Sequence, residues 1–92
     1  MKYFVDFTDE AQEDMRKLRK SGDKQAVKKL DKLLVELECH PRSGEGKPER
    51  LKHCIGDVWS REITRKHRLV YEIIDNTVYV EVAQAWGHYN DK

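Results

Sequence analysis

One segment of the sequence concentrates groups that could handle both a proton and a phosphate. Glu49 lies between Lys47 and Lys52, and His53 follows them. Pro48 stiffens the backbone directly before Glu49. A carboxylate can act as a general base, and the neighbouring cations attract phosphate. The ordinary alternative is a solvated charge cluster on a loop, because most runs of charge are of that kind. This segment alone leaves both interpretations open.

A second basic group surrounds Arg68, with Arg61 and Arg65 close by in the sequence. A guanidinium fixed on an exposed sheet face can bind a phosphate through two hydrogen bonds at once, so Arg68 is a candidate phosphate clamp. The competing interpretation is an ion pair with Glu62 or Glu72, since opposite charges often pair on the exposed face of a sheet.

The end of the chain carries a third candidate group, His88-Tyr89. Histidine titrates near neutral pH, so His88 could donate a proton to a leaving oxygen. The aromatic ring of Tyr89 could stack on a base. Chain ends are commonly disordered, and a mobile tail is the alternative.

The cysteines and histidines do not predict a metal site. Cys39-His40 and His53-Cys54 bracket the central loop. Adjacent ligands rarely point the same way, and the ligand spacings typical of tetrahedral zinc sites are missing from the sequence. We therefore expect no bound metal, and two free thiols rather than a disulfide framework.

Length and composition limit the class of protein. The chain has 92 residues, which predicts a single domain over residues 1–92. The formal net charge is +1, but residues 42–68 contain eight Lys and Arg against four Asp and Glu, a local balance of +4. No apolar run approaches the roughly 18–20 residues of a membrane span, and the N-terminus lacks a secretory h-region. We expect a cytoplasmic protein.

Two amphipathic helices are predicted in the first half of the chain. A short strand at residues 2–7 precedes Thr8, which can cap a helix that ends near Gly22. Asp23 can cap a second helix, which must end before Pro41. The stripes that repeat with helical spacing are Ala11, Met15 and Leu18 in the first helix, and Val27, Leu30, Leu33, Leu34 and Leu37 in the second.

The second half of the chain predicts a long loop followed by strands. Asp75-Asn76 has the composition of a two-residue hairpin turn. The loop covers residues 41–57, and runs rich in β-branched and aromatic residues cover 58–64, 67–74 and 78–86.

The turn fixes which residues of the last two strands face each other. The expected pairs are Leu69 with Val82, Tyr71 with Val80, and Ile73 with Val78. These apolar pairs share one face, which must meet the helices, so Arg68 falls on the opposite face. The prediction is an α+β domain with two N-terminal helices packed on one face of an antiparallel sheet.

The candidate residues lie in four short segments along the chain. They are Lys47-Pro48-Glu49-x-Leu51-Lys52-His53, Gly56-x-Val58-Trp59-Ser60-Arg61, His67-Arg68-Leu69-Val70-Tyr71 and the terminal His88-Tyr89. In order and spacing, over nearly the whole chain, these segments resemble the YoeB/Txe branch of the RelE toxin superfamily. The resemblance implies a RelE-like fold with the order β-α-α-β-β-β.

The same resemblance implies the function of a type II toxin–antitoxin toxin. Such toxins are metal-independent endoribonucleases that cut mRNA in the ribosomal A site, and an antitoxin of the YefM type silences them. The branch also implies a homodimer and no cofactor.

Matching the family's motifs gives each candidate residue an expected role. Glu49 falls on the catalytic carboxylate, Arg68 on the arginine that stabilises the transition state, and His88 with Tyr89 on the C-terminal catalytic pair. The basic residues that we expect to contact RNA are Lys47, Lys52, Arg61 and Arg65.

The chain departs from its relatives between the second and third motifs. Relatives carry a second arginine where this chain has Glu62, and two acidic residues where it has Arg65 and Lys66. It also extends past Tyr89 by residues 90–92. The exchange at Glu62 keeps one other hypothesis open, a non-catalytic module that binds RNA or antitoxin as a co-repressor. A further alternative is a ribonuclease that needs no ribosome, although the net charge of +1 argues against tight unaided binding of RNA.

Overall fold

Two helices pack against a five-stranded sheet in the computed structural model, which describes residues 2–82. The sheet order is β1-β5-β4-β3-β2, so the hairpin of the last two strands lies at its centre. In chain order the elements are β1 (Phe4–Phe7), α1 (Asp9–Lys20), α2 (Lys24–Leu37), β2 (Glu49–Arg50), β3 (Val58–Glu62), β4 (Arg68–Ile74) and β5 (Thr77–Val82).

Both helices begin at the side chains that the sequence indicated. The Thr8 hydroxyl accepts a hydrogen bond from the Ala11 N–H, and the Asp23 carboxylate accepts one from the Ala26 N–H. Each cap satisfies an N–H that the first turn of a helix leaves unpaired. Gly22 separates the helices at φ +87°, a conformation that costs glycine little.

The predicted helix stripes form the core. Ala11, Met15 and Leu18 are buried, and so are Leu30, Leu33 and Leu37. Val27 and Leu34 are only half-buried, and Ala26, which the prediction omitted, is fully buried. On the sheet side the same core contains Ile63, Leu69, Tyr71, Ile73, Val78 and Val80.

The register of β4 with β5 confirms two of the three predicted pairs. Tyr71 faces Val80 and Ile73 faces Val78, next to a turn in which Asp75 has φ +54°. The third prediction, Leu69 opposite Val82, is wrong because Val82 pairs with Val70. One extra residue of β5 lies between Val80 and Val82, and this bulge shifts the register beyond it by one.

The fold class is confirmed, with one parallel pairing in an otherwise antiparallel sheet. β1 runs parallel to β5, with Val5 opposite Val78. β2, which was not predicted, pairs antiparallel with β3 inside the long loop. β3 ends at Glu62, two residues before its predicted end, and the predicted strand residues 83–86 lie outside the described range. No helix within residues 2–82 is long and apolar enough to cross a membrane.

Candidate functional site

The sheet has one face against the helices and one that the helices do not cover, here called the open face. Residues alternate between the two faces along each strand. Because Leu69, Tyr71 and Ile73 of β4 point to the helical core, Arg68 and Glu72 point to the open face. The sequence prediction that Arg68 lies away from the helices therefore holds.

Glu49 is placed on this same face by the short strand β2. It lies directly opposite Ser60 of β3, and Ser60 lies opposite Val70 of β4. Directly opposed residues of an antiparallel pair share a face. The carboxylate of Glu49 is exposed at the outer edge of the sheet.

Arg68 begins β4 one step further along the sheet, opposite Glu62 of β3. With strands about 4.8 Å apart and about 3.3 Å per residue, two strands and two residues separate the Cα atoms of Glu49 and Arg68 by roughly 12 Å. Glu and Arg side chains are long enough to reach a phosphodiester placed in this gap. The competing ion pair with Glu62 or Glu72 is not formed among the described residues. Arg68, which is half-buried, thus has no carboxylate partner there.

Three of the other predicted basic residues lie in loops next to the strands that carry this pair. Lys47 and Lys52 flank β2 and are exposed, and Lys47 has φ +51°. Arg65 is exposed in the turn between β3 and β4. The Thr64 hydroxyl orders this turn by accepting hydrogen bonds from the N–H groups of Lys66 and His67. Three exposed cations, here called the basic rim, thus lie in the loops that adjoin β2, β3 and β4.

Arg61 departs from its predicted role. It points to the core face with Ile63 and Leu69, and its side chain has 0% exposed surface. Its Nε donates to the Tyr71 hydroxyl at 2.9 Å and its Nη1 donates to Glu36 at 2.8 Å. A guanidinium without exposed surface cannot reach RNA, so we correct the assignment and treat Arg61 as a structural residue.

Asp57 forms a second network that the sequence did not reveal. Its carboxylate accepts hydrogen bonds from Arg42 and from the indole N–H of Trp59, and Arg50 Nε lies 3.6 Å away. Burial alone would raise the pKa of Asp57, but these donors outweigh it and hold the pKa below its usual range. Asp57 thereby ties the loop to both β2 and β3. A single Asp before a strand carries no signal of such a role.

The remaining candidates divide into described and undescribed residues. Cys39 and Cys54 are exposed free thiols. No group of three or more His, Cys, Asp or Glu residues within 2–82 is arranged to hold a metal ion. His88 and Tyr89 lie outside the described residues, and their roles stay predictions.

Comparison with known proteins identifies the family. A family model described as the YoeB-like toxin of bacterial type II toxin–antitoxin systems matches residues 7–89. Toxin YoeB of Streptomyces coelicolor is 35% identical over 85 residues, which cover 92% of this chain and 98% of the relative. Toxin YoeB of Escherichia coli K12 is 45% identical over 58 residues, covering 63% of this chain and 69% of the relative.

Solved structures agree with the sequence relatives. A YoeB dimer from Staphylococcus aureus superposes with a TM-score of 0.79 at 32% identity, over 92% of this chain and 98% of that one. The YoeB–YefM heterotetramer of the same organism gives a TM-score of 0.76 at 32% identity with the same coverage. The match of fold, motif order and length leads to one conclusion: the chain belongs to the YoeB-like family of bacterial type II toxin–antitoxin toxins.

Proposed function

We propose that this chain is a ribosome-dependent endoribonuclease that cuts mRNA in the A site without a metal ion. RNA supplies its own nucleophile, the 2′-OH, so the protein has to provide a base, an acid and a stabiliser of negative charge. The open face offers a carboxylate and a guanidinium at a separation suited to one phosphodiester. This shared placement of Glu49 and Arg68 is the observation on which the proposal rests.

The proposed mechanism assigns one task to each group. Glu49 accepts the proton of the 2′-OH as that oxygen attacks the phosphorus. Arg68, assisted by Lys52, stabilises the added negative charge on the phosphorane. His88 gives a proton to the departing 5′-oxygen, so the products are a 2′,3′-cyclic phosphate and a 5′-OH. Tyr89 stacks on a flanking base. Each acid–base group typically contributes about 10²–10⁴-fold.

The role of the ribosome follows from charge. Affinity for free RNA depends on many cationic contacts with phosphates, and this chain has a net charge of only +1. Lys47, Lys52 and Arg65 on the rim are too few for tight unaided binding. A ribosome that presents the mRNA removes that requirement, and the cytoplasm is where the two would meet.

Two protein partners are part of the proposal. A structural neighbour is a YoeB–YefM complex, and another is a YoeB dimer. We propose a YefM-like antitoxin whose acidic segment folds as it binds the basic rim, together with a homodimer. The antitoxin should cover Arg68, because that guanidinium lacks an acidic partner within residues 2–82.

The test is cleavage of a short defined mRNA with and without programmed ribosomes, with the 5′ ends mapped. Cuts confined to the A-site codon, made only with ribosomes and leaving a 2′,3′-cyclic phosphate and a 5′-OH, are expected. Glu49→Gln and Arg68→Ala should each lower kcat by at least about 100-fold. Arg19→Ala removes a similar charge from the helical side, where Arg19 pairs with Asp31, and should cut normally. Cleavage of naked RNA at the same rate would refute the ribosome requirement.

A second function has one observation in its favour. Glu62 lies directly opposite Arg68, so a negative charge borders the proposed phosphate position. If this charge prevents cleavage, the open face would bind RNA or antitoxin without cutting, and the toxin–antitoxin complex would act as a co-repressor. Folded wild-type protein that makes no cuts with ribosomes, but binds the antitoxin and its operator DNA as a complex, would favour this alternative.

A further inference from the structure

The buried guanidinium of Arg61 collects hydrogen-bond acceptors from one stretch of the chain. Besides Tyr71, it donates to the Glu36 carboxylate and to the backbone carbonyls of His40, Ser43 and Glu45. All the backbone acceptors belong to the segment that follows α2 and leads to β2. No side chain with fewer donors could hold this many acceptors, because guanidinium carries five N–H groups in a fixed plane.

Glu36 and Tyr71 extend these contacts on either side of Arg61. The Glu36 carboxylate also accepts a hydrogen bond from the Glu45 N–H at 3.0 Å, and the Tyr71 hydroxyl donates to the Pro41 carbonyl at 2.7 Å. Burial would raise the pKa of Glu36, but the hydrogen bonds from Glu45 and Arg61 outweigh it and keep the pKa below its usual range. Residues 36–45 are thus fixed at both ends and in the middle.

The segment then leads directly into the strand that carries Glu49. The Glu62 N–H donates to the Gly46 carbonyl at 2.6 Å, which attaches the chain to the end of β3. A side chain at Gly46 would meet the Glu62 carbonyl and Leu33, and Gly46 has φ +80°. Only two residues separate Gly46 from Glu49. The position of the Glu49 backbone therefore depends on where Arg61 holds the preceding residues.

We propose that Arg61 is a positioning residue of this toxin, which acts through the 40–46 segment to place the Glu49 carboxylate on the open face. The inference rests on the proposed function for its kinetic consequence. The structural part of the inference does not depend on the proposed function. Arg61 holds the 40–46 segment from the core side of the sheet, whereas Glu49 lies on the open face. Glu36 and Tyr71 are its supporting partners.

The rate of this reaction depends more on the position of the general base than on the affinity for the substrate. A base displaced by about 1 Å can lose about 100-fold in rate, since the reacting atoms must be aligned. Substrate affinity, in contrast, would come from the exposed cations and from the ribosome. Weakening the Arg61 contacts should therefore lower kcat and leave KM nearly unchanged.

The experiment compares Arg61→Lys, Tyr71→Phe and the matched control Arg19→Lys. Arg61→Lys keeps the charge but loses the planar set of donors, and Tyr71→Phe removes one acceptor of Arg61 and the donor to Pro41. We expect kcat for ribosome-dependent cleavage to fall at least about tenfold in Arg61→Lys and by about three- to tenfold in Tyr71→Phe. KM should stay within about twofold, and Arg19→Lys should match the wild type.

Hydrogen–deuterium exchange supplies a readout that does not need activity. In both variants the backbone amides between residues 40 and 48, other than those of the two prolines, should exchange faster, while those of the β4–β5 hairpin keep their protection at a temperature well below Tm. Equal loss of protection over the whole sheet, or wild-type kcat with wild-type exchange in residues 40–48, would overturn the proposal. If Arg61→Lys does not fold, Tyr71→Phe decides by the same criteria. Wild-type protein that cuts nothing would refute the proposed function, and exchange would still decide whether Arg61 positions the segment.

Discussion

The charge at Glu62 gives a direct test of how the open face handles phosphate. Glu62 and Arg68 are opposite residues of β3 and β4, so their Cβ atoms lie about 5 Å apart. A phosphate bound by Arg68 would then lie roughly 7 Å from the Glu62 carboxylate. Replacing this carboxylate by the neutral amide in Glu62→Gln removes the repulsion while keeping the size of the side chain.

The size of the effect follows from Coulomb's law. Two unit charges about 7 Å apart interact by about 0.6 kcal/mol in water and about 2.4 kcal/mol at an effective dielectric constant of 20. A half-buried site lies between these limits, near 1 kcal/mol. Because 1.4 kcal/mol is a factor of ten, we expect Glu62→Gln to raise kcat/KM by about 3- to 10-fold.

Glu72→Gln is the matched control for this measurement. Glu72 shares the open face of β4 but lies four residues from Arg68, about 13 Å along the strand, which exceeds the Debye length of about 8 Å at physiological salt. The assay is ribosome-dependent cleavage at 0.05 and 0.5 M salt, with Tm recorded for each variant. The gain of Glu62→Gln should shrink at high salt. Unchanged or lower activity in the folded variant would refute the electrostatic argument.

Two further predictions concern stability. Thr8→Ala should cost about 1 kcal/mol and lower Tm by about 4–8 °C, because the Ala11 N–H loses its acceptor; an unchanged melting curve would mean that the cap contributes nothing. The pKa values of Glu36 and Asp57 are lowered in the folded chain, so the stability they provide is present above their unfolded values near 4 and is lost as pH falls through the folded ones. Urea unfolding between pH 7 and 2 should show this loss beginning near pH 5, with a shallower slope in Glu36→Gln, and equal slopes in both proteins would contradict it.

Local signals explain what the sequence could predict. The helices follow from two capping side chains and a 3.6-residue apolar period, all of which act within one turn. The alternation of β4 also placed Arg68 on the correct face. By the same alternation Arg61 shares a face with Ile63, so the pattern already predicts its burial. The prediction that Arg61 contacts RNA rests instead on its place in the basic stretch near Arg68.

Other features depend on contacts between distant parts of the chain. β2 has two residues, too few for a period, and it exists only because β3 offers its edge to Glu49. The bulge between Val80 and Val82 and the parallel approach of β1 arise when strands meet in three dimensions. The hydrogen bond between Arg61 and Glu36 joins residues 25 positions apart in the chain. No local sequence rule predicts that a glutamate on a helix pairs with an arginine on a distant strand.

The parallel pairing of β1 with β5 has a consequence for the synthesis of the protein. Phe4 lies opposite Thr77, so the two partners are 73 positions apart in the chain. Contacts this distant in sequence close late and slowly. The hairpin that supplies the centre of the sheet is also translated last among the described elements. A nascent or truncated chain that lacks β5 has no strand with which β1 can pair, so we expect the sheet to stay incomplete until β5 has left the ribosome.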